Sequence, residues 1–390
     1  MTSGRSGRSG AGGGCREGDG LRAGDGFRQG DGPRGGDGPR AAGGPVSLAS
    51  RLRVPSGPLF FPVTPFGPGG SLGRVDVEAF RAHVRRGVDA GAAAVFACCG
   101  TGEFHALTPE EFQECVAAAV AETAGRVPVL AGTGYGTALA VRYARLAEEA
   151  GADGLLALPP YLVAAAQEGL LRHYRALAAA TALDVVVYQR DNAVLTPGTA
   201  VELARTDGII GLKDGLGDLD LMQRIVSAVR SAAPGDFLYV NGLPTAELTG
   251  LAYRGIGVRL YSSAVFCFAP DLALAFHRAL RSGDDATCAR LVDGFYRPFV
   301  ELRAQGRGYA VSLVKAGVRL TGLDVGGVRP PLHEPTADHV KQLAELIERG
   351  RTLVGREGVQ GGRGAGSADA SDASQGAGGA AAVERVEGSA

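Results

Sequence analysis

Between about residue 58 and residue 350 the chain alternates between two hydrophobic patterns. Short runs that are apolar at nearly every position read as strands buried on both faces. They cover Leu59–Thr64, Ala93–Cys99, Val127–Gly132, Gly154–Leu158, Asp184–Tyr188, Ile209–Lys213, Phe237–Asn241 and Gly257–Ser262. The longer stretches between them, such as DVEAFRAHVRRGVDAG and TALAVRYARLAEEAG, repeat an apolar residue every three or four positions and close on glycine. That is the signature of amphipathic helices with left-handed caps. Eight strand–helix units in roughly 230 residues predict an α/β fold, a (β/α)8 TIM barrel. A doubly wound open sheet is the alternative, but no strand leads into GxGxxG or a Walker loop. Further helical pattern from Asp284 to Gly350 reads as a C-terminal extension packed on the barrel.

The flanks carry neither pattern. From Arg16 to Pro39 a hexapeptide recurs four times as REGDGL, RAGDGF, RQGDGP and RGGDGP. Calcium-binding Gly-Asp repeats have a nine-residue period and an apolar strand position, which this repeat lacks. With almost nothing apolar to bury, the segment reads as low-complexity disorder, and the tail GVQGGRGAGSADASDASQGAGGAA reads the same way. The expected organisation is a leader over 1–53, a barrel over 54–283, a helical extension over 284–350 and a disordered tail over 351–390. A translation start near 46–53 is the other reading of the leader.

A formal net charge of −1 gives no electrostatic reason to expect a nucleic acid or a membrane surface as partner. No apolar run approaches the roughly 20 residues of a membrane span, and the first residues lack the apolar centre of a secretory signal. The six cysteines, Cys15, Cys98, Cys99, Cys115, Cys267 and Cys288, form no CxxC and have no histidine at metal spacing. A reducing cytoplasm is the expected compartment, with Cys98 and Cys99 as small apolar residues at the end of a buried strand and not a redox pair. Among 40 basic residues the lysines are Lys213, Lys315 and Lys341. Where arginine is used so consistently, each retained lysine marks a place that arginine cannot fill.

Barrel enzymes carry their chemistry where the strands end. Here those ends are Thr64, Gly100-Thr101-Gly102-Glu103, Gly134, Tyr161, Tyr188, Lys213, Asn241-Gly242 and Ser262-Ser263. Lys213 closes an apolar strand in GIIGLKDG; desolvation there favours the uncharged amine, which can attack a carbonyl as arginine cannot. The structural alternative is an ion pair with Asp214, Asp218 or Glu103. Tyr188 ends the preceding strand and can shuttle a proton to or from a carbon beside an imine, or it can be a core aromatic. Gly100-Thr101-Gly102 offers consecutive backbone N–H groups to an anion such as a carboxylate. His105 lies near the same strand end. His83, His173 and His277 fall in helical stretches as surface or packing residues, Lys315 reads as structural, and Lys341 as exposed on an amphipathic helix.

The segments PVTPF, CGTGEF, LPPYL, VVVYQRDN, GLKDGLGD and the NG after the seventh strand occur in this order over about residues 58–350. In that order they resemble the dihydrodipicolinate synthase and N-acetylneuraminate lyase superfamily. GTGEF, LPPYL and RDN make the chain most similar to its 5-dehydro-4-deoxyglucarate dehydratase branch. The resemblance implies Lys213 as the Schiff-base lysine and Tyr188 as the proton-transfer group. It implies that Gly100, Thr101 and Gly102 hold the carboxylate beside the ketone, and that Arg190, Asn241 and Ser262 bind the rest of the substrate. A small sugar-acid substrate, no metal or organic cofactor, and a homotetramer are implied as well. The hydroxyl relay of synthases and lyases needs a threonine where this chain has Gly100, and a second tyrosine where it has Leu162. That departure argues against a plain synthase. Another pyruvate-type lyase or synthase of the superfamily, and a keto-acid-binding barrel without turnover, are the rival expectations.

Overall fold

The computed structural model describes residues 47–53, 55–68, 73–233 and 235–360. Within them eight parallel strands close on themselves in sequence order: β1 (Leu59–Phe60), β2 (Ala94–Ala97), β3 (Val129–Thr133), β4 (Gly154–Ala157), β5 (Asp184–Gln189), β6 (Ile209–Asp214), β7 (Leu238–Asn241) and β8 (Leu260–Ser263). The expected TIM barrel is the fold. Strand residues alternate between two cores. Leu59, Phe61, Phe96, Leu130, Leu156, Val186, Leu238 and Leu260 point into the barrel. Phe60, Val95, Val129, Leu155, Val185 and Leu212 point out, against the helices. A side-chain period of two within runs apolar on both faces requires this division.

Every strand is shifted by a residue or more from its expected extent, and for β1 and β8 the local reason is plain. β1 has two ladder residues, because Pro62 has no N–H to continue the pairing. β8 starts at Leu260, because Gly257, at φ +88°, and Val258 still donate to the carbonyls of Arg254 and Tyr253 in the preceding helix.

The outer layer is α2 (Val77–Ala90), α3 (Pro109–Thr123), α4 (Thr137–Glu149), α5 (Gln167–Ala178), α6 (Pro197–Ala204), α7 (Leu219–Ala232), α8 (Gly250–Gly255) and α9 (Pro270–Ser282). Several start on side-chain caps, among them Asp76, Asp218 and a full capping box between Thr108 and Glu111. The extension adds α10 (Asp285–Leu291), α11 (Arg297–Ala304), α12 (Tyr309–Leu320) and α13 (Ala337–Gln360).

The expected boundaries change at both ends. Helix α1 (Leu48–Arg53) falls inside the stretch assigned to the leader, yet Leu48, Ala49 and Leu52 are buried in the barrel's inner core. Three apolar side chains on one short helical face were too few to stand out in a Gly-rich neighbourhood. At the other end α13 continues ten residues past Gly350. The Gly-Asp repeat, Cys15 and residues 361–390 lie outside the described residues. No helix among the described residues is long and apolar enough to cross a membrane.

Candidate active site

Strand register sets the floor of the site. Tyr188 on β5 pairs with Lys213 on β6, and Lys213 pairs with Val240 on β7, so three inward positions lie side by side. Lys213 is 4% exposed. Its Nζ donates to the Gly242 carbonyl at 3.2 Å and lies 3.8 Å from the centre of the Tyr188 ring and 5.2 Å from that of Phe61. The Tyr188 hydroxyl donates to the same carbonyl at 3.0 Å. Amine and phenol therefore share one acceptor.

The three carboxylates that might have neutralised Lys213 are committed elsewhere. Glu103 pairs with Lys315 at 2.8 Å. Asp214 accepts from Gln189 at 2.8 Å, from Tyr253 and from the backbone N–H groups of Leu216 and Gly217. Asp218 caps α7. Among the described residues no carboxylate lies within ion-pair distance of Lys213. Its neighbour Cys99 is no competing nucleophile, since burial pushes that thiol up to about 12 despite the opposing pull of the Lys213 charge.

Two glycines make room for this pair. A Cβ at Gly242 would lie 2.7 Å from Lys213 Nζ, and one at Gly215 would lie 2.8 Å from the Tyr188 hydroxyl. The NG after β7 and the DG after β6 are thus explained by the side chains they must admit.

Lys213 and Tyr188 open into a cavity of about 300 Å³ that Gly100, Thr101, His105, Arg190, Gly242 and Ser262 also line. The GTGE turn is fixed from below, where Thr64 Oγ1 donates to the Gly102 carbonyl at 2.7 Å. Arg190 is about half exposed, 3.1 Å from Asp191. Burial of its head group works against its charge, but Tyr188 and Asp191 outweigh this and raise its pKa above the ordinary arginine value. Among the described residues no group of three or more His, Cys, Asp or Glu side chains is placed to hold a metal ion.

The chain matches the dihydrodipicolinate synthetase family over residues 55–349. It belongs to that family. Within the family it is 78% identical over 312 residues to a Streptomyces avermitilis protein named probable 5-dehydro-4-deoxyglucarate dehydratase 1, an overlap covering 80% of this chain and 98% of the relative. A Bradyrhizobium diazoefficiens protein named probable 5-dehydro-4-deoxyglucarate dehydratase is 47% identical, over 75% of this chain and 92% of its own. Among solved structures, dihydrodipicolinate synthase from Bacillus clausii superposes with a TM-score of 0.70 at 26% identity, covering 77% of this chain and 98% of that one. The match spans nearly the full length of each of these relatives.

Of the residues singled out from sequence, Lys213, Tyr188, Gly100, Thr101, Arg190 and Ser262 meet at this strand-end cavity. Asn241 does not join them. It pairs in register with Asp214, the outward neighbour of Lys213. Its amide instead donates to the Ala246 carbonyl at 3.0 Å and Thr249 Oγ1 at 2.9 Å, holding the loop after β7. Strand parity accounts for the correction: with Lys213 inward, Val240 and Gly242 face in and Asn241 faces out. Gly102 packs beneath the turn against Cys98 and Pro62, off the cavity wall. Ser263 likewise turns outward, to Glu247. Complete burial pushes the Glu247 carboxyl up to about 7, with the Ser263 bond opposing. His83 and His277 are buried packing residues, pushed down to about 3 and about 4 mainly by desolvation. The residues missed from sequence are Gly308, Ala310, Val311 and Leu332, which roof the cavity from the C-terminal extension. Nothing in their local pattern marks them: Ala310 and Val311 belong to a helix with the same apolar repeat as one that packs against the barrel's side, and Gly308 and Leu332 lie in the flanking loops.

The RDN segment has a structural use as well. Asp191 takes φ +50°, and Asn192 Nδ2 then donates to the Pro160 carbonyl at 2.8 Å and to that of Val163. This ties the LPPYL loop to the end of β5, with Leu162 at φ +61° and 82% exposed.

Proposed function

We propose that the chain is a Schiff-base dehydratase that converts 5-dehydro-4-deoxyglucarate to 2,5-dioxopentanoate, CO2 and water. The observation that carries this reading is an amine buried in a cavity, without a carboxylate partner among the described residues, 3.8 Å from the ring of a tyrosine whose hydroxyl shares its acceptor. The names of the 78% and 47% identical relatives supply the substrate.

In this scheme the substrate carboxylate next to the ketone sits on the N–H groups of Gly100 and Thr101, the turn residues on the cavity wall, as anions do at such nests. Lys213 Nζ adds to the ketone carbon, and loss of water leaves an imine. The imine acidifies the neighbouring CH2. Tyr188 is the group placed to take that proton, with its own proton passed to a bridging water that leads to solvent. The enamine expels the β-hydroxyl as water and becomes a conjugated imine. That imine accepts the electron pair left when the distal carboxylate departs as CO2. Protonation at carbon and hydrolysis return Lys213 and release the product. One electron sink serves both eliminations, so the scheme needs no metal or organic cofactor. Arg190 and Ser262, on the cavity wall, bind the hydroxyls and the far carboxylate.

The compartment in this reading is the cytoplasm, in keeping with the free buried thiols of Cys98, Cys99, Cys115, Cys267 and Cys288. The assembly is a homotetramer, and the exposed apolar run Tyr161-Leu162-Val163 is the segment best suited to meet a second copy.

Sodium borohydride added with pyruvate or with the sugar acid should fix one adduct, mapped by peptide mass to Lys213. Incubation with the sugar acid alone should release CO2. A trapped adduct on another residue, or none, refutes the scheme. Condensation of pyruvate with an aldehyde, without CO2 release, would favour a synthase.

A further inference from the structure

Lys315 is the second lysine kept in a chain that otherwise prefers arginine, and its side chain is entirely buried. An ammonium is a compact charge with three donors, and here it has three close neighbours. Nζ lies 2.8 Å from Glu103 Oε1, donates to the Gly327 carbonyl at 2.6 Å, and sits 4.0 Å from the centre of the Phe66 ring. A guanidinium would bring five donors to the same space and leave some unsatisfied. The other Glu103 oxygen accepts from the Arg329 N–H at 2.9 Å.

The place of Glu103 gives the pair its meaning. It follows Gly100-Thr101-Gly102 directly, in the left-handed region at φ +55°, ψ +42°. A non-glycine residue stays there only if its surroundings over-determine it. Lys315 and the Arg329 N–H do so from one side, and the Glu103 N–H closes the turn on the Gly100 carbonyl at 3.2 Å. Lys315 in turn belongs to α12. The first turn of that helix supplies Ala310 and Val311 to the cavity roof, and Val311 and Lys315 share a face one turn apart.

We propose that Glu103 and Lys315 form a positioning pair that locks the carboxylate-binding turn to the roof helix and cancels the Glu103 charge beneath the substrate anion. The proposal rests on the keto-acid reading above. Geometry and charge both matter in it. Without the ammonium, a buried carboxylate two residues from Thr101 would oppose the anion which that turn must hold.

Three variants separate the two contributions, each checked for folding by circular dichroism and melting temperature. The readout is the rate of borohydride-trapped adduct against pyruvate concentration, which gives a half-saturating concentration and a maximum rate. Lys315→Met is expected to raise half-saturation about tenfold or more, with the maximum rate changed less than about threefold. Glu103→Gln keeps the shape and removes the negative charge, so its half-saturation should stay at or below that of the wild type. The double variant Glu103→Gln/Lys315→Met should return close to it. A general packing role would impair all three variants and lower the maximum rate with them. The proposal is overturned by a folded Lys315→Met with unchanged half-saturation, or by Glu103→Gln weakening binding as much as Lys315→Met. Should Lys315→Met fail to fold, the opposite signs expected of Glu103→Gln and Lys315→Arg, the latter weakening binding by misplacing the turn, decide the matter. Pyruvate-dependent melting shifts in a Lys213→Ala background report the same ranking without any adduct, so a failed Schiff-base reading would not be mistaken for a failed positioning pair.

Discussion

Replacing Gly242 by alanine should displace the Lys213 amine while leaving the barrel folded. The added Cβ would lie 2.6 Å from Lys213 Cγ, 2.7 Å from its Nζ and 2.8 Å from the Asp214 carbonyl oxygen. Real Cβ atoms do not approach other heavy atoms so closely, so something must move. The backbone is poorly placed to do so, since Gly242 N already donates to that same Asp214 carbonyl at 2.6 Å, at the junction of β6 and β7. The side chain of Lys213 is the softer partner and should swing away, giving up its bond to the Gly242 carbonyl. Overpacking of this kind costs about 1–3 kcal/mol of stability. A displacement of about 1 Å at a reacting atom costs on the order of 100-fold in rate. Turnover and the borohydride-trapping rate should therefore both fall about 100-fold, with a modest drop in melting temperature. Gly100→Ala is the stability control, because its Cβ meets nothing within 4 Å and its melting temperature should barely change. A Gly242→Ala enzyme with turnover within about threefold of wild type would refute the claim that this glycine exists to seat the lysine.

Three further outcomes follow from the same geometry. Tyr188→Phe should keep adduct formation but lose about 100- to 10,000-fold in turnover, as expected on removing a general acid–base group; equal losses in both steps would assign Tyr188 to binding. Glu247, with a folded value of about 7 against an ordinary 4.5, holds its proton in the folded state where the unfolded chain has released it. Its contribution to stability is full below pH 4.5 and is lost as pH rises towards 7, by roughly 3 kcal/mol in all. Urea titrations of wild type and Glu247→Gln should differ by that slope, and parallel curves would contradict it. The difference is the quantity to read, because His83 and His277, with lowered folded values of about 3 and about 4, add stability as pH rises towards 6.5. Asn192→Ala should speed hydrogen exchange at residues 161–163 while exchange in the strands stays unchanged; a global increase would mean the amide supports more than the loop.

Most of the architecture was legible because buried parallel strands and amphipathic helices write different periods, and eight alternations leave few folds to choose from. The site was legible where chemistry restricted the residue type. Lys213 stands out against 37 arginines, and Tyr188 sits one strand away in register. Asn241 misled because a polar residue at a strand end looks available to a ligand, and only the inward parity of Lys213 shows that it faces the helices. The helical setting of Lys315 points to a structural role, and its burial against Glu103, 212 positions earlier in the chain, has no local trace. The roof residues were hidden for a similar reason, since long-range approach leaves no periodic mark.

Helix α1 gives the barrel a stopper drawn from outside the eight repeats. Leu48 occupies the space left by the bare Cα of Gly154, whose Cβ would otherwise lie 2.5 Å from Leu48 Cδ2. Trimming the chain to Pro58 would uncork the end of the barrel remote from Lys213 and flood its inner core with water, yet leave every group at the mouth in place. The two ends of one cylinder thus divide the labour, so that damage at the floor should show first as lost heat resistance and only later as lost turnover.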